Sequence, residues 1–337
     1  MLRRQFLGAV GFAAAMLLTG SALAGSHSEQ KTLNFGIIST ESSQSLKKIW
    51  LPFLEDMEKK AGMDVKPFFA PDYAGVIEAM RYDKVDVAWF GNKSAMIAVD
   101  RSGGEIFAQT VDVTGNPGYW SLLVAHKDSP LNSVEDIIAN AKDLSFGNGD
   151  PNSTSGFLVP SYYVWTKNNV DPNRIFKRVL NANHQTNLLA VANKQVDFAT
   201  NNTENWARLE KTHPEKVKNV KVIWKSPLIP SDPIVWRVKL DDETKSKVKT
   251  FIMDYGVKGD DTVAEKEKLA ALGWAPFRVS SNDQLLPIRQ LSLFKSRNKI
   301  ERDDTLSADE KAALLKQIDA QLEQLNKKMA AIAKPAS

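Results

Sequence analysis

LSFGNGDPNST, residues 144–154, repeats the outline of LNFGIISTESS, residues 33–43. A second pair of segments, YAGVIEAMRYDKVDVAWFGN (73–92) and HQTNLLAVANKQVDFATNNT (184–203), matches at the same spacing of 111 residues. The identical residues include Phe35 and Phe146, Gly36 and Gly147, Val85 and Val196, and Asp86 and Asp197. Four matches at one offset in two separate segments predict an internal repeat, and therefore two similar lobes.

Strand-like and helix-like segments alternate along the chain, as in α/β proteins whose helices pack on sheets. The repeat places loops of both lobes at the carboxyl ends of strands, where open α/β sheets bind ligands. Pro- and Gly-rich stretches at 115–120 and 226–233 predict two crossings between the lobes. The expected fold is an α/β two-lobe clamshell with two crossing segments. The predicted limits are a signal peptide at 1–24, a first lobe at 25–117 plus 230–300, a second lobe at 118–229 and a C-terminal helix at 301–337.

The first 24 residues have the pattern of an export signal. Arg3 and Arg4 precede a short apolar run that ends in small residues, so we expect cleavage after Ala24 and a periplasmic mature protein. The arginine pair also resembles a twin-arginine signal, which leaves both export routes open. The chain has no cysteine, which excludes lipid attachment through cysteine, disulfides and thiolate chemistry.

Length and charge favour a small partner. Removing 24 residues from 337 leaves 313, about the length at which one core divides into two lobes. The formal charge of +4 becomes +2 without Arg3 and Arg4, and acidic and basic residues are interspersed. Without a basic stripe, we expect no nucleic-acid partner.

Three consecutive hydroxyl side chains, Ser153, Thr154 and Ser155, separate turn-forming residues from an apolar run in GNGDPNSTSGFLVP (147–160). We call them the hydroxyl run. One interpretation is a helix N-cap, which needs only one such residue. The other is an anion site, because the hydroxyl donors would lie beside the free N–H groups and positive dipole end of a helix. The local sequence leaves both open, and one residue can serve both.

Two carboxylates are predicted at the cleft, and we call them the acid pair. Glu204 follows a strand of the second lobe, and Asp232 lies between two prolines in the second crossing. Each alone fits an ordinary role, Glu204 beside its own helix dipole and Asp232 in a turn. Together with the hydroxyl run, they predict a ligand that is anionic at one end and cationic at the other.

Recognised catalytic patterns do not occur in the sequence. It contains no H-E-x-x-H, G-x-S-x-G or G-x-x-x-x-G-K-[ST] motif and no metal-spaced cluster of His and Asp, so we expect no metal and no cofactor. A hydrolase using Ser153 and His184 is the enzyme alternative, but nothing supplies a third group to orient the histidine. A binding protein is the favoured interpretation.

Blocks along the chain resemble the phosphonate-binding proteins of bacterial phosphonate ABC importers: NFGIISTESS, FFAPDYAG, KVDVAWFGN, PGYWSLL, FGNGDPNSTSGFLVP, ATNNTEN, VIWKSPLIPSDPIVWR and LGWAPFR. The resemblance covers roughly residues 33–300. It implies a type II periplasmic-binding-protein fold that closes on an alkylphosphonate and delivers it to an ABC permease at the inner membrane.

The same resemblance implies roles for individual residues. The phosphonate oxygens would be held by Ser153, Thr154, Ser155, Tyr119 and His184. The amine of 2-aminoethylphosphonate, the expected ligand, would be held by Tyr73, Glu204 and Asp232. Relatives that bind phosphite or other small oxyanions use a similar fold, so phosphite, phosphate or another such oxyanion is the alternative ligand.

The last helix carries a narrow apolar seam. Ser307 and Glu310 fit a capping box at its start. The residues that follow at alternating spacings of three and four are Leu315, Ile318, Leu322, Leu325, Met329 and Ile332. Such a heptad seam predicts packing against another helix, either in a homodimer or within the same chain.

Overall fold

The computed structural model describes residues 31–332, and the predicted signal peptide at 1–24 lies outside that range. No helix within the range is both long and apolar enough to cross a membrane. The strands, in chain order, are β1 (Thr32–Ile37), β2 (Asp64–Phe69), β3 (Val87–Trp89), β4 (Gly104–Asp112), β5 (Gly118–Tyr119), β6 (Ser121–His126), β7 (Ser145–Gly149), β8 (Arg178–Ala182), β9 (Phe198–Asn202), β10 (Val220–Lys225), β11 (Ile229–Pro230), β12 (Pro233–Arg237) and β13 (Trp274–Val279).

The α-helices are α1 (Ser43–Ala61), α2 (Tyr73–Arg81), α3 (Asn92–Arg101), α4 (Val134–Ala139), α5 (Pro172–Ile175), α6 (His184–Ala192), α7 (Thr203–Thr212), α8 (Pro214–Val217), α9 (Asp242–Asp254), α10 (Thr262–Leu272), α11 (Leu286–Glu301) and α12 (Ala308–Ile332). Short 3₁₀ turns occupy Ala141–Asp143 and Asn282–Leu285. Wider π-helical turns occupy Thr154–Leu158 and Ser161–Thr166.

Two mixed sheets form the centres of the two lobes. The first has six strands in the order β13, β4, β12, β3, β1, β2, and the second has five in the order β10, β6, β9, β7, β8. The run β12, β3, β1, β2 matches β6, β9, β7, β8, with parallel and antiparallel pairs in the same places. The register repeats as well, because Phe35 pairs with Val87 and Phe146 pairs with Phe198. The predicted α/β fold with two similar lobes is confirmed.

The chain crosses between the two sheets through two short strands that pair with each other. Tyr119 of β5 lies opposite Ile229 of β11, and Gly118 lies opposite Pro230. A Cβ on Gly118 would come within 1.9 Å of the Ile229 carbonyl oxygen, so the two segments can lie this close only because glycine has no side chain. After the second crossing, β12 and β13 return to the first sheet. The residue limits of the lobes stay a prediction.

Aromatic side chains fill the core behind the cleft. Trp50 of α1 packs against Trp89 of β3 and Trp274 of β13, with ring centroids 5.4 Å apart in each pair. In the second lobe, Phe146 and Phe198 stack with ring centroids 4.6 Å apart. Burial of such large rings is the main favourable term in folding. These clusters therefore anchor strands β3, β7 and β9, and the cleft loops follow the carboxyl ends of these strands.

The C-terminal region is an antiparallel hairpin of α11 and α12. Gln290 contacts Asn326, and Arg297 contacts Asp319. Two seam residues, Ile318 and Leu322, are buried. The seam helix therefore has a partner in its own chain, one of the two possibilities that the heptad pattern allowed, and the homodimer stays a prediction.

The start of this last helix differs from the predicted limit of 301. Helix α11 continues to Glu301, and α12 begins only at Ala308. The predicted capping box forms, because the Glu310 N–H donates to Ser307 Oγ at 3.3 Å and the Ser307 N–H donates to Glu310 Oε2 at 2.9 Å. The box thus sets where α12 begins.

Candidate functional site

Loops at the carboxyl ends of strands in both lobes meet around one small cavity. All eight residues selected from the sequence line it: Tyr73, Tyr119, Ser153, Thr154, Ser155, His184, Glu204 and Asp232. The rest of the wall consists of Ile38, Thr40, Trp89, Gly91, Asn202 and Arg208. The lining comes from both lobes, so the site is complete only when the lobes are together.

The hydroxyl run lies in a tight turn after β7. A Cβ on Gly149 would meet the Gly156 carbonyl oxygen at 2.4 Å, so the strand end and the turn pack backbone against backbone. Ser153 Oγ accepts from the Gly156 N–H at 2.9 Å and caps the π-helical turn. The N-cap interpretation therefore holds for Ser153. A hydroxyl that accepts one hydrogen bond keeps its own proton for another partner.

Thr154 caps a helix of the opposite lobe. Helix α3 begins after Gly91, which has no side chain for capping, and the Lys93 N–H donates instead to Thr154 Oγ1 at 2.8 Å. The Thr154 oxygen thus accepts from the first lobe, while its proton is free to donate into the cavity. This side chain couples the contact between the lobes to whatever occupies the cavity.

His184 begins α6 and faces the end of the hydroxyl run. Its Nε2 lies 3.4 Å from Ser155 Oγ and 3.2 Å from Asn202 Nδ2. Burial lowers the pKa of His184 to about 3, and the charge of Arg208 adds to the shift, so the imidazole is neutral. Its Nδ1 is buried and has no hydrogen-bond partner among residues 31–332. A buried polar atom without a partner costs free energy, which a ligand atom can relieve.

The acid pair lies in the same cavity. Glu204 is in the first turn of α7, but the N-cap of that helix is Asn202, which accepts from the Asn205 N–H at 2.7 Å. The Glu204 carboxylate is therefore not needed for capping. Burial raises the pKa of Glu204 to about 7. Burial also raises the pKa of Asp232, and repulsion by Glu204 adds to that rise. Two such carboxylates favour a bound cation or a retained proton.

The two tyrosines lie close to the acid pair. The Tyr119 hydroxyl donates to Asp232 Oδ1 at 2.9 Å. The pairing of the crossing strands sets Tyr119 opposite Ile229, three residues before Asp232 in the second crossing. Its expected role beside the phosphonate oxygens stays a prediction. Burial raises the pKa of Tyr73, and the carboxylates of Asp150 and Asp232 add to the rise. The charge of Asp232 thus acts on Tyr73, and the expected role of Tyr73 beside the ligand amine stays a prediction.

A buried ion pair at the cavity was missed by the sequence analysis. Arg208 Nε donates to Glu41 Oε1 at 2.7 Å, and Asn205 Nδ2 donates to the same oxygen at 3.1 Å. Glu41 lies in the loop between β1 and α1 of the first lobe, whereas Arg208 lies in α7 of the second. The two residues are 167 positions apart, and no local pattern in the sequence marks them as partners.

Other hydrogen bonds also join the lobes. The Gln185 side chain of α6 accepts from the Ser42 N–H at 2.8 Å and donates to Ser45 Oγ at 3.2 Å, at the start of α1. In the repeat-related position, the Tyr73 N–H at the start of α2 donates to Asp150 Oδ2 at 3.2 Å. In both contacts, a side chain of the second lobe accepts from the N-terminus of a first-lobe helix. The structure is a closed clamshell.

The geometry does not support the hydrolase alternative. Ser153 Oγ pairs with a backbone N–H, and the contacts of His184 Nε2 are with Ser155 and Asn202. No carboxylate orients His184 Nδ1 among the described residues. A serine nucleophile activated by a histidine needs a hydrogen bond between the two side chains and a third group that orients the histidine. In the same part of the chain, no group of three or more His, Asp or Glu side chains is placed to hold a metal ion.

Known proteins share this fold and most of this sequence. The family model for the periplasmic substrate-binding protein of phosphonate ABC transporters matches residues 35–285. The phosphonates-binding periplasmic protein of Escherichia coli K12 is 58% identical over 315 residues, which cover 93% of this chain and 92% of that protein. A phosphate-import protein of Mycolicibacterium smegmatis is 31% identical over 267 residues, or 73% of this chain and 81% of that protein.

A solved structure gives the same result. The crystal structure of a binding-protein component of an ABC phosphonate transporter from Pseudomonas aeruginosa matches with a TM-score of 0.88 and 61% identity, covering 91% of this chain and 100% of that one. These relatives are substrate-binding components and not enzymes. The chain therefore belongs to the periplasmic substrate-binding proteins of bacterial phosphonate ABC transporters.

Proposed function

We propose that this protein captures 2-aminoethylphosphonate in the periplasm and delivers it to its ABC permease. The observation that carries the proposal is the acid pair, buried in the same cavity as the hydroxyl run. The hydroxyl run would offer hydrogen-bond donors to an anion, and the acid pair would offer carboxylates to a cation. A ligand with a phosphonate at one end and an ammonium at the other matches both.

At the phosphonate end, Ser153, Thr154, Ser155 and His184 would hold the oxygens. The Ser153 and Thr154 oxygens accept backbone N–H groups in the structure, so their protons can point toward the ligand. Hydrogen bonds to a charged acceptor are roughly twice as strong as neutral ones. All tetrahedral oxyanions present similar oxygens, however, so this end alone selects weakly among them.

Selection would come from the acid pair. An ammonium group between Glu204 and Asp232 relieves their repulsion, with Tyr119 orienting Asp232 through its hydroxyl. Tyr73 would add a hydrogen bond or a cation–π contact of about 0.5–2 kcal/mol. A ligand without a cation leaves two buried carboxylates unpaired, which penalises closure on phosphate, phosphite and alkylphosphonates.

Isothermal titration of the mature protein tests this proposal. The panel is 2-aminoethylphosphonate, ethylphosphonate, phosphate, phosphite and ethanesulfonate, with Glu204→Gln and Asp232→Asn as variants. We expect wild type to bind the aminophosphonate most tightly. We expect the two substitutions together to weaken the binding of 2-aminoethylphosphonate by several kcal/mol. The binding of ethylphosphonate should weaken little, because only 2-aminoethylphosphonate presents a cation. Equal losses for both ligands in the variants would show that the acids are structural.

The alternative ligand is phosphate, phosphite or another small oxyanion. The mycobacterial relative is named for phosphate import, and phosphate and phosphite are therefore included among the titrated ligands. The acid pair argues against it, because a ligand without a cation would leave two buried carboxylates unpaired. Tighter binding of phosphate or phosphite than of 2-aminoethylphosphonate by the wild type would replace the proposal with this alternative.

Maturation and lobe limits complete the proposal. We infer cleavage after Ala24, a first lobe at 25–117 plus 230–300, and a second lobe at 118–229. The small-residue ending of the N-terminal apolar run supports the cleavage site. Intact mass measurement of the protein secreted into the periplasm tests it, and a mass that includes residues 1–24 would contradict it.

A further inference from the structure

The buried ion pair of Glu41 and Arg208 lies beside the acid pair, and the proposed ligand contacts do not use it. Glu41 and Arg208 are 5% and 8% exposed, so both charges are almost fully removed from water. Glu41 accepts from Arg208 at 2.7 Å and from Asn205 at 3.1 Å. A buried carboxylate with two such donors is held in one position.

Arg208 also faces the acid pair. It lies four residues after Glu204 on α7, so the two side chains share one face of that helix. Arg208, Glu204 and Asp232 all line the same cavity. The charge of Arg208 lowers the pKa of Glu204 and of Asp232, which opposes the larger effect of burial. The guanidinium is thus near enough to act on both carboxylates.

The four buried charges have to be counted together. Arg208 contributes one positive charge and Glu41 one negative charge, so the ion pair is neutral as a unit. The acid pair then keeps its own negative charge for a ligand. If Glu41 were neutral, the guanidinium would be left to compensate the acid pair, and the cavity would be less negative by one charge.

We propose that Glu41 determines the preference for cationic phosphonates by pairing Arg208, so that the acid pair keeps its full negative charge for the ligand ammonium. This inference rests on the proposed function above. Glu41 contacts no ligand in this scheme and acts through Arg208, which makes it a positioning residue. Its role is electrostatic and goes beyond the bond that it makes between the lobes.

A bond between the lobes would by itself affect every ligand equally. Gln185 provides the matched control, because it joins the lobes through uncharged groups only. Its N–H also donates to the Thr40 carbonyl oxygen at 3.3 Å. Replacing its side chain weakens closure without changing the charge near the acid pair. Gln185→Ala therefore reports what the loss of a contact between the lobes does alone.

The experiment compares the ratio of the Kd for ethylphosphonate to the Kd for 2-aminoethylphosphonate, measured by calorimetry at pH 8 and low salt. We expect Gln185→Ala to raise both constants by a similar factor and to leave the ratio unchanged. We expect Glu41→Gln to lower the ratio by about tenfold or more, because the charge of Arg208, which lines the cavity, is then no longer neutralised. Glu41→Asp, which retains the charge, keeps the wild-type ratio even if both constants rise.

A double variant keeps the test decisive if Glu41→Gln folds poorly with an unpaired buried arginine. Glu41→Gln with Arg208→Gln removes both charges and avoids that cost. If the inference is correct, this double variant has a ratio of dissociation constants close to the wild-type value. If the pair only joins the lobes, removing both residues gives no reason for the ratio to return. A lowered ratio in the double variant, or an unchanged ratio in Glu41→Gln, overturns the inference.

The wild-type ratio distinguishes a failure of the proposed function from a failure of the inference about Glu41. A ratio near one for the wild type means that the proposed function is wrong, and the inference falls with it. A large wild-type ratio that Glu41→Gln leaves intact keeps the proposed function and removes only the inference about Glu41.

Discussion

Thr154→Val tests the hydroxyl run, because valine has nearly the shape of threonine but no oxygen. In the structure, Thr154 Oγ1 accepts from the Lys93 N–H of the opposite lobe at 2.8 Å, and the side chain lines the cavity. We expect the variant to bind 2-aminoethylphosphonate far more weakly than wild type. Its unfolding temperature without ligand should change little, because the lost contacts belong to the closed, ligand-bound form.

Two losses set the magnitude. A hydrogen bond from the Thr154 hydroxyl to a charged phosphonate oxygen contributes about 1.5–3 kcal/mol. On closure, the Lys93 N–H also loses its acceptor, for which we count about 1 kcal/mol, the low end for an unsatisfied donor. The low end applies because Lys93 is only partly buried. The sum, about 2.5–4 kcal/mol, corresponds to a Kd raised roughly 60- to 700-fold.

Calorimetric titration of wild type, Thr154→Val and Thr154→Ser measures this effect. Serine keeps the hydroxyl, so we expect its Kd to stay near the wild-type value. A Kd for Thr154→Val within a factor of two of wild type would refute the reasoning. An equal loss in Thr154→Ser would assign the effect to the methyl group instead of the oxygen.

Ser153→Ala is the companion variant, since the Ser153 oxygen caps a turn within its own lobe. Loss of an N-cap costs about 0.5–2 kcal/mol of folding stability. We therefore expect this variant to unfold at a lower temperature even without ligand, which Thr154→Val does not. Equal unfolding temperatures for the two variants would contradict the distinction between the two hydroxyls.

Four further outcomes follow from the structure. Because burial raises the pKa of Glu204 to about 7, this carboxyl takes up a proton as the pH falls from 8 to 6. The preference for 2-aminoethylphosphonate over ethylphosphonate should therefore shrink over that range. An equal preference in titrations at both pH values would contradict the role of Glu204 in binding the amine. A Cβ on Gly91 would lie 3.2 Å from Thr154 Oγ1 and 3.8 Å from Asp232 Oδ1. Gly91→Ala should therefore weaken the binding of every phosphonate by about 1–3 kcal/mol in calorimetry. Unchanged affinities would show that the ligand does not bind beside Gly91. Small-angle scattering should show a more compact particle with saturating ligand, because the contacts between lobes need closure; identical curves would argue against hinge motion. Sedimentation of the mature chain and of a truncation ending near Thr305 tests the homodimer, and a full-length monomer at micromolar concentration would rule it out.

The sequence by itself determined the fold class and the place of the site. Alternating strands and helices, with a repeat at 111 residues, required two similar α/β lobes, because each repeated unit buries the same pattern of apolar residues. The site followed from the same repeat, since loops at the carboxyl ends of strands face one cleft. The hydroxyl run could be found because its three members are adjacent in the chain. Their adjacency also suggested the N-cap at Ser153.

The sequence could not show which groups the site residues contact. The Tyr119 hydroxyl donates to Asp232 of the other crossing, and the pairing of the two crossing strands positions Tyr119. The seam of the last helix allowed a partner in either chain, and the structure supplies α11. In both cases, the sequence specified the residues and the tertiary packing set the contacts that they make within the chain.

Only the tertiary structure decided the contacts that span the cleft. Thr154 caps α3 across the cleft, and Glu41 pairs with Arg208 from 167 residues away. Periodicity and motifs record which face of a strand or helix is buried, which is a property of neighbours along the chain. A hydrogen bond between lobes depends instead on the angle at which two separately folded sheets meet, and a shift of about 1 Å there is enough to make or break it. That angle is set by the whole interface, so no short stretch of sequence contains it.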